Sequence, residues 1–179
     1  LSGYWQCEKY FKEFRAELLE LFRFPQNQIN EASRKMQDQI CREQAVAVHV
    51  RRGDYLLPEN NRKYGNICTL QYYRNAMQYM KEKVSDARFY FFSNDPEWVR
   101  ENLSEGDSVI VNCNHGKENY LDMYLMSQCS HNIIANSSFS WWGAWLNRNP
   151  DKIIVSPKRW FSHLDVSDAV CEDWIRING

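Results

Sequence analysis

Two adjacent arginines carry the strongest chemical signal in this sequence. Arg51 and Arg52 lie in the run His-Val-Arg-Arg-Gly-Asp, residues 49–54. A planar guanidinium is permanently charged and can bind two phosphate oxygens at once, so this run is a candidate phosphate site. Gly53 would let the backbone pass close to the ligand. Because side chains alternate along a strand, we expect one arginine to face a ligand and the other to face the protein.

Two structural alternatives apply to the same run. Arg51 could form a salt bridge with Asp54 instead of binding a phosphate. His49, a single histidine on a strand, is also typical of a core histidine whose hydrogen bonds are satisfied within the protein. The residues alone leave both alternatives open.

Other polar side chains could add hydrogen bonds to such a site. Asn94 and Asp95 end the run Phe-Phe-Ser-Asn-Asp, residues 91–95, where either side chain could instead cap a helix that begins near Pro96. Asp122 lies near the start of a predicted helix. It could accept a hydrogen bond from a ligand or interact favourably with the helix dipole.

Hydroxyl groups open the last predicted helix, in the run Asn-Ser-Ser-Phe-Ser, residues 136–140. Free backbone N–H groups at a helix N-terminus, together with hydroxyls, can bind an anion. A plain serine N-cap is the structural alternative. Trp141, Trp142 and Trp145 follow on the same helix, and we interpret them as packing residues and not as a platform for a sugar.

The elements that must position these residues alternate between two periodicities. Short β-branched and aromatic runs predict strands at 45–50, 88–92, 108–111, 132–135 and 152–155, and apolar residues at helical spacing predict helices at 70–84, 96–103, 119–129 and 140–146. This alternation predicts an α/β fold, a Rossmann-like parallel sheet with helices on both faces. Ligands of such sheets bind at the carboxyl ends of the strands, where the polar runs lie.

Residues 1–43 precede this pattern as a helical lead-in, with predicted helices at 7–24 and 26–42. Residues 44–179 form the predicted Rossmann-like domain. The chain begins without a methionine on a Gly-Tyr-Trp segment that is typical of the middle of a protein. We therefore expect a preceding region to be missing.

Composition excludes several classes of function. The net charge of -1 provides no basic field for general nucleic-acid binding. The apolar runs are much shorter than the roughly 18 residues that a membrane span needs. The six cysteines are dispersed and include no C-x-x-C pair, so we expect reduced, mostly buried thiols and a cytoplasmic protein.

The sequence lacks common nucleotide and metal motifs: Walker A, G-x-G-x-x-G, H-E-x-x-H and Asp-x-Asp are all absent. If the ligand is a diphosphate, arginine must then neutralise the charge that a metal ion neutralises in many sugar-nucleotide transferases.

Three ordered motifs together resemble the alpha-1,2-fucosyltransferases of glycosyltransferase family 11, in their bacterial branch. They are His-Val-Arg-Arg-Gly-Asp at 49–54, Phe-Phe-Ser-Asn-Asp at 91–95, and Leu-Asp-Met-Tyr-Leu-Met-Ser-Gln-Cys-Ser-His-Asn-Ile-Ile-Ala-Asn-Ser-Ser-Phe-Ser-Trp-Trp at 121–142. The opening Gly-Tyr-Trp-Gln-Cys-Glu-Lys-Tyr-Phe at 3–11 is similar to a segment from the middle of that family's chains. The resemblance thus covers essentially the whole sequence.

The resemblance implies an inverting, metal-independent transfer of fucose from GDP-fucose to the 2-hydroxyl of a terminal galactose in a glycan, with no cofactor. It implies a GT-B fold of two Rossmann-like halves, of which this chain is the C-terminal, donor-binding half. An N-terminal acceptor-binding domain would be the missing region, and this fragment could be inactive without it. The protein would be cytoplasmic, with peripheral association at the inner membrane as an option.

The resemblance also implies roles for particular residues. Arg51 would be the main contact of the diphosphate, Asp122 would face the guanine edge, and Asp54 and Glu59 are candidates for the catalytic base beside Arg51. The implied contacts of GDP-fucose are His49, Arg51, Arg52, Asn94, Asp95, Asp122, Ser137, Ser138, Phe139 and Ser140, and no metal ligands are implied.

Two other functions are compatible with the residues. One is a non-catalytic carbohydrate-binding module that uses tryptophan rings as platforms. The other is a transferase that uses a different nucleotide sugar.

Overall fold

Six short parallel strands form one sheet in the part of the chain that the computed structural model describes, residues 6–164 and 167–179. The strands are β1 Gln44–Val50, β2 Ala87–Ser93, β3 Val109–Val111, β4 His131–Ile133, β5 Ile154–Pro157 and β6 Ile175–Ile177. Their order across the sheet is β3-β2-β1-β4-β5-β6, and every neighbouring pair is parallel. This is the strand order of dinucleotide-binding Rossmann sheets.

The helices of the described ranges are α1 Arg15–Leu21, α2 Glu31–Ile40, α3 Pro58–Tyr64, α4 Leu70–Lys83, α5 Pro96–Asn102, α6 Tyr120–Gln128 and α7 Ser138–Trp145. Side-chain oxygens of Asn30, Thr69 and Asp95 accept backbone N–H groups at the starts of α2, α4 and α5. These caps fix where the three helices begin.

The central strand β1 is buried on both faces. Val46, Val48 and Val50 pack in a core with side chains of α4 and α5. Ala45 and Ala47 pack on the other face with side chains of α2 and α6. Helices therefore cover both faces of the sheet, which confirms the predicted α/β class.

A third core surrounds the tryptophans of α7. Trp141 and Trp145 are fully buried, and the ring of Trp142 stacks on Phe11 with 5.7 Å between centroids. The guanidinium carbon of Arg15 lies 4.3 Å from the centre of the Trp145 ring. These contacts confirm the interpretation of the three tryptophans as packing residues, and they anchor the segment before α2 to the end of the sheet.

Several element boundaries differ from the prediction. Within the predicted helix 7–24 only α1 is α-helical, and the residues before it form two 3-10 turns. Strand β5 begins two residues late because Asn149 caps a turn, accepting the N–H of Asp151 on its side chain. Helix α3 and strand β6 were not predicted, since α3 is polar all round and β6 is a three-residue edge strand.

The first five residues of the predicted lead-in, and with them residues 3–5 of the quoted opening motif, lie outside the described residues. In the described part of the lead-in, Ile29 and Ile40 pack in the same core as Ala45 of β1. The division of the chain at residues 43 and 44 stays a prediction.

Two further properties bear on the expected setting. None of the helices described is both long and apolar enough to span a bilayer. Cys129 and Cys171 are buried, whereas Cys41 is exposed after the last turn of α2 and the other three cysteines are of intermediate exposure. The expectation that most of the thiols are buried is therefore wrong.

The strand order reverses between β1 and β4. From β1 the chain continues to β2 on one side of this pair, and from β4 it continues to β5 on the other side. Such a reversal opens a crevice at the carboxyl ends of the two strands. Two buried tyrosines of α4 bind carbonyl groups at this edge: the hydroxyl of Tyr73 donates to His49 O at 3.2 Å, and that of Tyr72 donates to Ile134 O at 2.6 Å. Helix α4 thus fixes the floor of the crevice.

Replacing Tyr72 with phenylalanine tests this role. The substitution keeps the ring but removes the hydroxyl that serves a buried carbonyl, so the free energy of unfolding should fall by about 1 to 3 kcal/mol. Tyr79→Phe on the same helix is the matched control and should change it by less than about 0.5 kcal/mol. Urea unfolding measures both. Equal stabilities of the two variants would contradict this account.

Candidate functional site

The crevice at the end of β1 contains two adjacent cavities that meet at Arg51 and Phe139. The first has a volume of about 470 Å³ and is also lined by His49, Asn114 and Asp122; we call it the Asp122 cavity. The second has a volume of about 500 Å³, and its lining includes Asp54, Tyr64, Trp160 and Phe161; we call it the Asp54 cavity. One guanidinium thus borders both spaces.

Arg51 forms an ion pair within this crevice. Its Nη2 atom lies 2.8 Å from Asp54 Oδ1, and its side chain is 36% exposed. The N–H group is not directed at the oxygen, so Asp54 Oδ1 has no hydrogen-bond donor in the described ranges. The salt bridge considered from the sequence is present, and it leaves the guanidinium accessible from both cavities.

Arg52 has a different environment and lines neither cavity. Its backbone N–H donates to Asn94 Oδ1 at 3.0 Å and its Nε donates to Asp95 Oδ2 at 3.1 Å. Its guanidinium carbon lies 4.0 Å from the centre of the Trp98 ring. Arg52 thus joins the loop after β1 to the loop after β2, while Asn94 borders the Asp122 cavity.

Gly53 sits where these loops approach most closely. A Cβ atom there would lie 2.1 Å from Asn94 Nδ2. A larger residue would displace the Asn94 side chain that holds the Arg52 backbone, so glycine is favoured here by close approach and not by an unusual φ angle.

His49 borders the Asp122 cavity with a buried imidazole. Burial, aided by the charge of Arg51, lowers its pKa to about 3, so the ring is neutral at pH 7. Its ring centroid lies 5.7 Å from that of Phe139. Its Nδ1 atom is buried without a hydrogen-bond partner among the residues described, so the core histidine of the structural alternative is not fully satisfied.

Asp122 is held by a network that the sequence did not reveal. Asn114 Nδ2 donates to Asp122 Oδ1 at 2.8 Å, and Asn114 Oδ1 accepts from Ser33 Oγ at 2.8 Å and Asn30 Nδ2 at 3.1 Å. Burial raises the pKa of Asp122, and the hydrogen bond from Asn114 opposes that shift. The available signal was the position of Asn114 just after β3, on the ligand edge of the sheet.

The serine run divides between two roles. Ser137 and Ser138 line the Asp54 cavity, and Phe139 lines both cavities. Ser140 is fully buried, and its Oγ lies 3.3 Å from the carbonyl oxygens of both Ala135 and Ser137. The hydroxyl of Ser140 therefore stabilises the first turn of α7 and lines neither cavity.

Asn136, which the sequence presented only as the start of the serine run, holds the Asp54 cavity together. It is 2% exposed, and its Nδ2 donates to the carbonyls of Tyr64 and Trp160, each at 3.1 Å. Its own carbonyl accepts from the hydroxyl of Tyr55 at 3.0 Å. The signal in the sequence was an asparagine that directly follows the apolar run of a predicted strand, on the ligand edge of the sheet.

The two candidate bases differ in position. Asp54 lines the cavity that carries its name. Glu59 is exposed in the first turn of α3 and lines neither cavity.

One group of side chains in the described ranges has metal-ligand spacing: Glu8, Cys171 and Asp173, whose ligand atoms lie within 4.8 Å of one another. Glu8 Oε1 already accepts the indole N–H of Trp145 at 3.1 Å. None of the three residues lines the two cavities.

One family model matches almost the whole chain, and several known proteins are similar to it. The model of glycosyl transferase family 11 matches residues 1–178. An alpha-1,2-colitosyltransferase of Escherichia coli is 39% identical over 98% of this chain, and a galactoside alpha-(1,2)-fucosyltransferase 1 of Ateles belzebuth is 37% identical over 56%. The chain spans 61% and 28% of these relatives, respectively. A solved NodZ alpha-1,6-fucosyltransferase soaked with GDP-fucose is 16% identical, with a TM-score of 0.42 over 78% of this chain and 59% of its own.

The neutral state of His49 predicts a pH dependence of stability. Between pH 6.5 and pH 5 the unfolded chain gains a proton on this residue while the folded chain, with a pKa of about 3, does not. Lowering the pH from 6.5 to 5 should therefore reduce the free energy of unfolding by about 1.5 kcal/mol through His49.

His49→Asn should remove that share of the pH dependence, because asparagine does not titrate. Urea unfolding of both proteins at pH 7.5, 6.5, 5.8 and 5.0 measures the difference, and the pH 7.5 values correct for any constant loss of stability. Parallel curves for the two proteins would show that His49 titrates normally in the folded state.

Proposed function

Because this chain belongs to glycosyl transferase family 11, we propose that it is the donor-binding part of a fucosyltransferase. The enzyme would move fucose from GDP-fucose to the 2-hydroxyl of a galactose in a glycan. The observation that carries the proposal is the position of Arg51, which borders two cavities at the point where the strand order reverses. A diphosphate bound there would contact a permanent positive charge.

The nucleoside belongs in the Asp122 cavity in this proposal. Guanine presents two neighbouring donors, N1–H and the 2-amino group, on one edge, and a carboxylate such as Asp122 accepts both. Adenine and uracil do not present this pair. The hydrogen bond from Asn114 orients the carboxylate before the ligand arrives.

Arg51 supplies the catalytic electrostatics. As the bond between C1 of fucose and the phosphate oxygen breaks, both electrons remain on that oxygen, and negative charge grows on GDP. A guanidinium that binds this charge more strongly than it binds the ground state lowers the barrier. Asp54 must then give up part of its interaction with Arg51 to the diphosphate.

Inversion requires the acceptor oxygen to form its bond to C1 on the face opposite the leaving phosphate, while its proton passes to a base. Asp54 borders the Asp54 cavity and Glu59 does not, which favours Asp54 as that base. Of the other implied contacts, His49, Asn94, Ser137, Ser138 and Phe139 border the cavities, whereas Arg52, Asp95 and Ser140 support the loops around them.

We propose the acceptor-binding half, the domain bounds and the location of the enzyme on the basis of its family. The acceptor-binding half of a GT-B transferase would correspond to the length of the relatives that this chain does not span. Residues 44–179 would form the GDP-fucose domain and residues 1–43 its helical lead-in. We keep the cytoplasm as the proposed location, with peripheral membrane association, and the transfer as one that needs no metal.

A second donor is favoured by a specific observation, the 39% identity to an alpha-1,2-colitosyltransferase over 98% of the chain. Colitose is fucose without the 3-hydroxyl group. GDP-colitose is therefore the alternative donor, and comparison of its affinity with that of GDP-fucose decides between the two.

Arg51→Ala should lower the affinity for GDP by about 10- to 150-fold, because it removes a charged hydrogen bond worth about 1.5 to 3 kcal/mol. Arg62→Ala, an exposed arginine on α3, is the matched control and should leave the affinity unchanged. Calorimetric titration with GDP, with and without magnesium, measures the effect. Unchanged GDP affinity in a folded Arg51→Ala variant would refute the assignment of Arg51.

Asp122→Asn should reduce selectivity for the base. Asparagine keeps the oxygen that accepts from Asn114 but replaces the second acceptor by a donor, so GDP affinity should fall at least 10-fold while the weak binding of ADP and UDP changes little. Asp38→Asn at an exposed site on α2 serves as the control. Equal losses for all three nucleotides would argue against guanine in the Asp122 cavity.

A further inference from the structure

A series of hydrogen bonds connects the start of helix α2, in the lead-in, to the carboxylate of Asp122. The backbone N–H of Ser33 donates to Asn30 Oδ1 at 2.8 Å, and Asn30 Nδ2 donates to Asn114 Oδ1 at 3.1 Å. Asn114 Nδ2 then donates to Asp122 Oδ1 at 2.8 Å. The N-cap of α2 is thus connected to the Asp122 cavity through a side chain that lies 84 positions further along the chain.

The direction of each bond in this series follows from its first donor. A backbone N–H can only donate, so Asn30 must turn its oxygen towards Ser33 and its Nδ2 towards Asn114. Asn114 must then present its oxygen to Asn30, which leaves its Nδ2 for Asp122. A reversed amide has nearly the same shape but exchanges donor and acceptor, so hydrogen-bond chemistry, and not steric fit, fixes this direction.

Ser33 adds a second donor to the same oxygen of Asn114. Its side chain is fully buried, and its Oγ donates to Asn114 Oδ1 at 2.8 Å. The Asn114 oxygen therefore accepts two hydrogen bonds, as many as it has lone pairs. The side chain of Asn114 is only 5% exposed, so water cannot readily replace either donor if it is removed.

The orientation of Asn114 determines what Asp122 faces. Burial disfavours the charged form of Asp122 and raises its pKa, whereas the N–H from Asn114 favours the charged form. In the reversed orientation an amide oxygen would lie beside the carboxylate, and two acceptors repel each other. The carboxylate would then turn away, and guanine would keep at most one of its two hydrogen bonds to it.

We propose that Asn30 and Ser33 are positioning residues for base recognition: they fix the amide of Asn114, which keeps an N–H on Asp122 and holds the carboxylate where guanine can donate to both of its oxygens. This inference rests on the proposed function, because it needs guanine in the Asp122 cavity. It adds helix α2, which borders neither of the two cavities, to the elements that determine base selectivity.

Asn30→Asp tests the proposal because it reverses the series and keeps the helix cap. Aspartate caps a helix as well as asparagine does, but it presents a second oxygen where Asn30 has its Nδ2, so the amide of Asn114 should reverse. Inosine diphosphate (IDP) lacks the 2-amino group of GDP. The parent chain should bind GDP about 10- to 150-fold more tightly than IDP, and in Asn30→Asp this preference should fall below about 3-fold. The weak affinity for UDP should not change. Calorimetric titration of the 179-residue chain measures all three affinities.

Three further variants complete the test. Asn27→Asp adds the same charge at an exposed position of the lead-in, so it is the matched control and should keep the preference for GDP. Asn30→Ser keeps a cap oxygen and removes only the amide donor. Because Ser33 still holds Asn114, the preference should fall less than in Asn30→Asp. Combining Asn30→Ser with Ser33→Ala removes both donors and should lower the preference further. Thermal unfolding confirms that each variant is folded.

The outcomes separate this inference from the proposed function. An unchanged preference for GDP over IDP in folded Asn30→Asp would overturn the inference alone. Equal losses of affinity for GDP, IDP and UDP would also overturn it, because α2 would then support the fold and not the recognition of the base. If the parent chain did not bind GDP, or bound GDP and IDP equally, guanine recognition by Asp122 would be refuted, and this inference with it.

Discussion

The whole site depends on the crevice between β1 and β4, where the strand order of the parallel sheet reverses. The connections that follow these two strands diverge and leave this space open. Several buried side chains maintain or border that space. The hydroxyls of Tyr72 and Tyr73 bind carbonyls at its floor, and Asn136 joins its walls. Arg51 directly follows the last residue of β1 and borders both cavities of the crevice.

Several polar groups around the crevice have shifted pKa values or unsatisfied hydrogen bonds. Burial keeps His49 neutral and raises the pKa of Asp122. Arg51 pairs with Asp54 through a contact that is short but not a directed hydrogen bond. In the proposed donor site a diphosphate would replace Asp54 as the partner of Arg51, because a bound anion offers the guanidinium better geometry than this carboxylate does. Groups of this kind concentrate at functional sites, and they support the proposed donor site.

Much of the architecture could be predicted because it is encoded in local periodicity. The central strands and α4 to α7 lie within a few residues of their predicted bounds, since continuous apolar runs and 3.6-residue spacing are properties of short segments. The errors fall where periodicity is weak. The polar helix α3 carries no apolar stripe, and β6 is a three-residue strand at the edge of the sheet, held by pairing with β5.

Local sequence is enough to predict the α/β class, the arginine run after the first strand and the polar residues at the strand ends, because each depends on neighbouring residues alone. The packing of distant segments makes Arg51 border both cavities while Arg52 binds Asp95, and local sequence does not reveal this. Packing likewise brings Asn114 to Asp122 and places Gln6 in the Asp54 cavity. These relations join residues from separate elements, and packing, unlike spacing along the chain, determines which side chains meet.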